Sequence, residues 1–249
     1  MASQEALRET GIRLRFSRGS AQRFLSHLDL MRLFHRAFRR ARLPLAGSRA
    51  SVPRPRLRIP YPLPLGVESD CEILEAELEY PLRLEEVRAR LDRCLPEDMA
   101  VRALRTLAPG ERSVLVGLRY QVEGAGLPGD DRLRAFLAAP VWKADRRRAA
   151  GRVARDIRPL VAAVVRRAAY RLDLEFTVAE GRSARPDEVL GALGLDPAAI
   201  AELRIVRTGI LEAEPPGAGD GRRGAPEDGA PEATGTRMAR SRVQETSER

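Results

Sequence analysis

The sequence predicts an α+β fold of two tandem ferredoxin-like units packed together, followed by a disordered C-terminal tail. Segments that alternate apolar and polar residues are interspersed with segments of helical periodicity. Their order, β-α-β-β-α-β, occurs twice at a spacing of about one hundred residues, and the composition changes near Glu212. We therefore predict units at residues 1–108 and 109–211 and a tail at residues 212–249. A single larger α+β domain is the alternative.

The first unit begins with a strand at residues 12–16, where apolar residues alternate with arginines. A helix follows at residues 26–42. The pattern then predicts strands at residues 57–61, 72–80 and 101–107, and a helix at residues 83–95 that Pro96 terminates.

The second unit repeats this order. Strands are predicted at residues 114–122, around 153–165, at 170–178 and at 203–211, and helices at residues 131–138 and 186–193. Pro186 at the start of the last helix and Gly194 just after its end support those limits. From Glu212 the chain is rich in Gly, Pro, Thr, Ser and charge and poor in apolar residues, which predicts disorder.

The charge of the chain favours an anionic partner. The formal net charge is +9, and because the last 38 residues hold eight acids and six arginines, residues 1–211 carry +11. Only Lys143 among the 44 basic residues is a lysine and asparagine is absent, a sign of codon bias, so arginine identity alone is weak support. A positive body nevertheless attracts phosphate backbones.

Several classes of protein are not supported by the sequence. Cys71 and Cys94 are the only cysteines, too few for a zinc knuckle, and we expect both to be buried in a reducing compartment. We find no glycine-rich nucleotide loop and no metal-ligand cluster, and expect no metal or cofactor. The first ten residues carry acids and no apolar core, and no later stretch is long and apolar enough for a membrane span, so we expect a cytoplasmic protein without membrane contact.

The helix near Ser26 is the most informative segment. Ser26 and Asp29 have the spacing of a capping box, and residues 30–41 place Leu30, Phe34 and Phe38 on one apolar stripe. The opposite face carries Arg32, Arg36, Arg39 and Arg40. This face is interpreted as a phosphate-binding ridge; a solvated face, or one turned toward a partner, is the alternative.

The next loop adds basic residues to a backbone stiffened by prolines. Arg49, Arg54, Arg56 and Arg58 are interpreted as further RNA contacts. Tyr61 could stack on an unpaired base or belong to the core. A third basic stretch covers residues 146–158.

Two segments carry a family resemblance. One runs from Arg23 and Phe24 through Ser26, His27 and Asp29 to Ala41, and the other spans residues 62–69 with Pro64 and Gly66. Together they resemble the radical-SAM-linked bacterial protein family, domain of unknown function 2344. Residues 185–190 resemble the family's C-terminal helix. The resemblance implies a radical SAM partner encoded nearby and a connection to RNA.

One departure from the family pattern bears on chemistry. Where family members usually read Gly-Phe-Asn-Pro-His-Pro, this chain reads Ala50-Ser51-Val52-Pro53-Arg54-Pro55. If the asparagine and histidine perform catalysis in relatives, this chain lacks it, whereas a phosphate-binding loop tolerates Arg54 in place of histidine.

Three hypotheses for function remain. The first is a non-catalytic accessory protein that holds tRNA or rRNA on its basic surface for the radical SAM enzyme. The second is a metal-independent RNA endonuclease with His27 or His35 as general base, an analogy of fold only. The third is a protein-only chaperone of the radical SAM partner.

Overall fold

Both halves of the chain contribute strands to one large sheet and helices that cover it. A computed structural model of the chain describes residues 9–48, 54–148 and 151–213. Within them, nine strands form a mixed sheet and two form a separate hairpin. The predicted α+β class is confirmed. Among the described residues no helix is long and apolar enough to cross a membrane.

The first half packs two helices against its strands. Its elements are β1 (Thr10–Arg18), α1 (His27–Arg40), β2 (Leu57–Arg58), β3 (Glu68–Leu78), α2 (Leu84–Asp92) and β4 (Val101–Thr106). The strands pair in the order β4-β1-β3-β2, each pair antiparallel. Phe16 of β1 meets Phe34 of α1 edge to face, with ring centroids 4.7 Å apart. The stripe predicted on α1 is the core of this half, with Leu30, Phe34 and Phe38 buried.

The second half has more elements. They are β5 (Val114–Glu123), α3 (Asp130–Ala138), β6 (Lys143–Arg148), β7 (Gly151–Asp156), β8 (Val161–Ala168), β9 (Arg171–Ala179), β10 (Arg182–Ser183), α4 (Pro186–Ala192), α5 (Pro197–Glu202) and β11 (Arg204–Ala213). Four of the strands pair in the order β11-β5-β9-β8, all antiparallel. The hairpin of β6 and β7 stands apart from the large sheet.

One parallel pairing joins the two halves. Val206 of β11 pairs with Glu68 of β3, and Arg207 pairs with Ser69. All other pairings of the described strands are antiparallel. The two sets of strands therefore meet at the beginning of β3, next to the loop that enters this strand.

Several predicted elements need correction. The single strand expected around residues 153–165 is wrong, because the Asp156 carboxylate accepts from the amides of Trp142 and Arg158 and turns the chain between β7 and β8. The strand expected at residues 57–61 ends at Arg58, since Pro60 and Pro62 have no amide hydrogen to donate to a sheet. Helix α5 was not predicted.

Two further expectations change. Strand β11 continues to Ala213, so the tail does not begin at Glu212, and the expected disorder concerns residues 214–249, outside the described ones. Cys71 is buried as expected, but Cys94, two residues after the end of α2, is only half-buried. The division into units at residues 1–108 and 109–211 stays a prediction.

Candidate functional site

A buried arginine organises the loop before α1. Arg18, at the end of β1, exposes 2% of its surface. Its Nε donates to the Gln22 carbonyl at 2.9 Å, and its Nη2 donates to the carbonyls of Arg23 and Leu25, each at 2.8 Å. Hydrogen bonds from a charged donor are the stronger class. Burial lowers the pKa of the Arg18 guanidinium, which stays protonated with the Glu72 charge nearby. Arg18 therefore fixes the conformation of this loop.

A second loop is attached directly to the first. The Gly66 amide donates to the Arg23 carbonyl at 2.8 Å. Gly66 has a φ of +80°, and a Cβ at this position would lie 3.6 Å from the Phe24 ring. The Arg23 guanidinium lies 4.9 Å from the centroid of the same ring. The two motif segments, about forty residues apart in the sequence, are thus neighbours in the fold.

These loops present apolar side chains to solvent. Phe24 is 67% exposed, Leu28 is 65% exposed and Leu65 is 64% exposed. We call these three residues the apolar patch. Pro64 is half-buried, and His27 is exposed at the first position of α1. Leu65 precedes Gly66, which lies next to the Phe24 ring, and Leu28 follows Phe24 by four residues. Exposed apolar residues that lie together mark interaction sites more often than residues scattered singly.

The start of α1 is fixed by the predicted cap. The Asp29 amide donates to Ser26 Oγ at 3.2 Å, and Ser26 Oγ donates to Asp29 Oδ2 at 2.7 Å. The hydrogen bond from Ser26 holds the pKa of the Asp29 carboxyl below its usual value, with Arg32 acting in the same direction. A carboxylate in the first turn also suits the helix dipole. The cap therefore fixes the position of Leu28 in the first turn of α1.

A fully buried ion pair supports the second loop. Arg207 Nη1 donates to Glu72 Oε1 at 3.0 Å and to the Tyr61 carbonyl at 3.0 Å. Nη2 donates to the Pro62 carbonyl at 3.2 Å and to the Tyr120 hydroxyl. Burial lowers the pKa of Arg207, but the Glu72 charge and Tyr120 outweigh it, so the pKa is raised. The guanidinium therefore stays charged and ties the loop to both halves.

The Tyr61 side chain reaches a second polar group. Its hydroxyl donates to Glu212 at 2.9 Å and lies 3.2 Å from the Ser113 carbonyl oxygen, while Arg13 donates to Ser113 Oγ at 3.0 Å. Burial raises the pKa of Tyr61. Its ring packs on the core of the second half, in agreement with the core alternative. Glu212, assigned to the tail from sequence, belongs to this ordered cluster.

The predicted arginine face of α1 is exposed. Arg32 pairs with Asp29 at 3.2 Å. Within the described residues, the side chains of Arg36, Arg39, Arg40 and Arg93 form no salt bridge or hydrogen bond. Arg36, Arg40 and Arg93 line a shallow groove of about 280 Å³ between α1 and the end of α2, with Leu33, Cys94 and Pro96. We call this feature the arginine groove.

The loop arginines are less available. Arg49 lies outside the described residues, and Arg54 is exposed. Arg56 pairs with Glu77 and, at 2.6 Å, with Glu9, and these two carboxylates raise its pKa. Arg58 pairs with Glu75. Carboxylates already neutralise two of the four predicted loop contacts, whereas Arg36, Arg39 and Arg40 of α1 have no acidic partner among the described residues.

The two candidate histidines differ in exposure, since His27 is exposed and His35 is half-buried. His35 is half-buried, and its Nε2 has no hydrogen-bond partner among the described residues. His27 and His35 stand eight residues apart on α1, about 12 Å along the helix axis. No group of three or more metal-binding side chains occurs within the described ranges. The site thus offers exposed arginines and exposed apolar side chains on α1 and on the two loops.

Sequence reasoning missed the buried residues that build this site. Arg18, Glu72, Tyr120 and Arg207 were not singled out. Arg207 follows Ile205 and Val206, and Glu72 lies between Cys71 and Ile73. A charge inside such an apolar run is the signal that could have pointed to a buried pair.

Comparison with known proteins places the chain in a family. No curated protein matches it. The family model described as "Uncharacterized protein conserved in bacteria (DUF2344)" matches residues 11–186, which include α1, both motif loops and the buried Arg18 and Glu72. Because the match covers well over half of the 249 residues, the chain belongs to this bacterial family of uncharacterized proteins.

Proposed function

We propose that this protein is a non-catalytic accessory protein that binds RNA, of the tRNA or rRNA class, through the arginine groove. The observation that carries the proposal is the set of exposed arginines with no acidic partner among the described residues: Arg36, Arg39, Arg40 and Arg93. Arg56 and Arg58, by contrast, are already paired with carboxylates. Unpaired guanidinium groups on one surface favour a ligand that brings its own negative charge.

The shape of the site supports a polyanion. Arg36 and Arg40 are one helical turn apart on α1, and Arg93 faces them from the end of α2. Guanidinium groups at this spacing can contact successive phosphates of a backbone without reading bases. Within the described residues the groove holds no aromatic ring, so base stacking contributes little. The expected binding is therefore strongly salt-dependent and weakly sequence-specific.

The radical SAM enzyme enters the proposal as the partner that performs the chemistry. Its basis is the resemblance of residues 23–41 and 62–69 to the radical-SAM-linked family. In this proposal the protein holds the RNA, and the partner supplies the iron–sulfur cluster and the reaction. The endonuclease alternative, with His27 or His35 as general base, has less support, because the Nε2 of His35 is buried and only His27 of the two is exposed.

We also propose that the two halves are tandem ferredoxin-like units that share one sheet. The support is the strand order, β4-β1-β3-β2 in one half and β11-β5-β9-β8 in the other, with every neighbour antiparallel. In a β-α-β-β-α-β unit of this kind, the two helices cover one face of the sheet. The arginine groove would then lie on the outer surface of the first unit's helical layer.

Crosslinking in cells tests the RNA proposal. Cells that produce the tagged full chain would be irradiated with ultraviolet light, and RNA attached to the purified protein would be sequenced. We expect tRNA or rRNA well above the level recovered with an Arg36→Glu, Arg40→Glu, Arg93→Glu variant. Recovery of equal RNA with the variant, or of no RNA above background, would contradict the proposal.

A further inference from the structure

We propose that the apolar patch of Phe24, Leu28 and Leu65 is a docking surface for a protein partner that presents an apolar segment flanked by carboxylates. Each of the three side chains leaves about two thirds of its surface in water. They belong to two segments that are joined by the hydrogen bond between Gly66 and Arg23. The patch is separate from the arginine groove, since Leu28 and Arg36 are about 12 Å apart along α1.

Two buried arginines hold the loops that carry the apolar patch. Arg18 donates to three carbonyls of the first loop, and Arg207 donates to two carbonyls at the start of the second. Each of these arginines is 2% exposed. Burying a charge is unfavourable unless it is fully compensated, so a loop that only connects two elements has no need of it. Such a preorganised surface loses less conformational entropy when a partner binds.

The surrounding charge selects the partner. Arg23 and Arg32 lie beside the patch, and Arg32 also pairs with Asp29. Arg23 lies over the Phe24 ring, and Arg32 follows Leu28 by one helical turn on the same face. A segment that covers the patch therefore meets positive charge at its rim, and carboxylates beside its apolar side chains complement that charge.

Other occupants fit less well. RNA bases need flat rings to stack on, and two of the three residues are leucines. A second copy of this chain in a symmetric dimer would bring Arg23 of the two copies near each other, which is unfavourable. A heterologous protein with an acidic, apolar segment is therefore the occupant that the patch favours.

Site-specific photocrosslinking tests this proposal. The photoreactive amino acid benzoylphenylalanine would replace Phe24 or Leu65 in the full chain, in a bacterium that encodes it. Tyr170 is the matched control position, because it is 63% exposed and lies in the second half. We expect a crosslinked protein from positions 24 and 65 and none from position 170. Mass spectrometry of the product would identify a partner segment with apolar residues flanked by Asp or Glu.

A second step uses the crosslinked segment as a synthetic peptide. We expect Leu65→Asp and Arg23→Glu each to weaken its binding at least tenfold, while Arg36→Glu in the arginine groove leaves it unchanged. Crosslinks to RNA, to a second copy of this chain or to its own residues 214–249 would overturn the proposal. So would a neutral or basic segment, equal crosslinking from position 170, or no crosslink at all. Because the groove variant is the control here, failure of the RNA proposal would not affect this result.

Discussion

Arg207 of β11 donates to Glu72 of β3 across 3.0 Å, and neither side chain exposes more than 2% of its surface. The two residues come from opposite halves of the chain and meet where β11 runs parallel to β3. A buried ion pair is not strongly stabilising in itself, but loss of one partner leaves the other charge buried alone. The pair therefore specifies how the halves join and supports the loop that carries Gly66.

Removal of either partner should be strongly destabilising. We expect Glu72→Gln and Arg207→Met each to lower the free energy of unfolding by about 3–5 kcal/mol. The double variant should lose markedly less than the sum of the two, because neither charge of this pair is then left buried without the other. Urea unfolding of the four proteins measures this coupling. The exposed pair of Arg119 and Glu175 is the control, expected to couple by about 0–1 kcal/mol. Additive losses for the buried pair would contradict its assigned role.

Arg18 should control the first loop through its three hydrogen bonds. Arg18→Met removes them, and we expect a loss of about 2–4 kcal/mol in the free energy of unfolding. Amide exchange of Leu25 and Gly66 should accelerate, since both amides belong to the loops that Arg18 holds. The Leu107 amide, bonded to the Gly11 carbonyl at the other end of β1, is the internal control. Unchanged exchange at Leu25 and Gly66 would mean that Arg18 does not organise the loop.

Gly66 should tolerate substitution only at the expense of backbone strain. Its φ is +80°, whereas the nearest atom to a Cβ would be at an ordinary 3.6 Å. We expect Gly66→Ala to lose about 1 kcal/mol of stability, and Gly66→Asn to lose less, because asparagine tolerates the left-handed region. Gly110→Ala is a matched control with a φ of +77° and no contact. A loss well above that of Gly110→Ala would indicate steric conflict with Phe24.

The buried Cys71 thiol should make the stability of the protein fall at alkaline pH. Burial raises the pKa of the Cys71 thiol from 9.0 to about 11, with the Glu72 charge acting in the same direction. Folding thus favours the neutral thiol, so its contribution is complete below about pH 9 and is lost as the pH rises through about 11. The loss amounts to about 2–3 kcal/mol.

Unfolding of the wild type and of Cys71→Ala over this range provides the measurement. Tyr120, whose pKa burial also raises, is present in both proteins, so their difference isolates the thiol. At pH 8 a thiol reagent should label half-buried Cys94 well before Cys71. If stability falls with pH in parallel in the wild type and in Cys71→Ala, or if Cys71 and Cys94 are labelled at equal rates, Cys71 is not a buried thiol of raised pKa.

The local elements of the fold could be predicted because their signals are local. Ser26 and Asp29 define the start of α1, and the spacing of Leu30, Phe34 and Phe38 defines its buried side. The hairpin of β6 and β7 could not be predicted in this way, since the turn after it depends on the Asp156 carboxylate bonding to the Trp142 amide, 14 residues away.

The candidate site shows the same difference. The motif residues Phe24 and Gly66 could be singled out from sequence, and so could the arginines of α1. The buried ion pair that supports the second loop could not be predicted, because Glu72 and Arg207 are 135 residues apart in the sequence and meet only when β3 and β11 pair. The sequence also predicted too many free arginines in the loop. Arg56 and Arg58 pair with Glu77 and Glu75, which the pairing of β2 with β3 brings near.

The salt dependence of RNA binding tests the central claim most directly. Fluorescence anisotropy with labelled tRNA or an rRNA fragment would be recorded from about 50 to 200 mM salt, the range over which phosphate contacts weaken strongly. The groove variant combines Arg36→Glu, Arg40→Glu and Arg93→Glu. The control variant has the same net charge and combines Arg134→Glu, Arg167→Glu and Arg182→Glu, at exposed arginines that already have acidic partners. We predict that the groove variant binds at least tenfold more weakly, and that its slope of log affinity against log salt is shallower by about two to three. Equal losses in the two variants, or binding insensitive to salt, would contradict the claim.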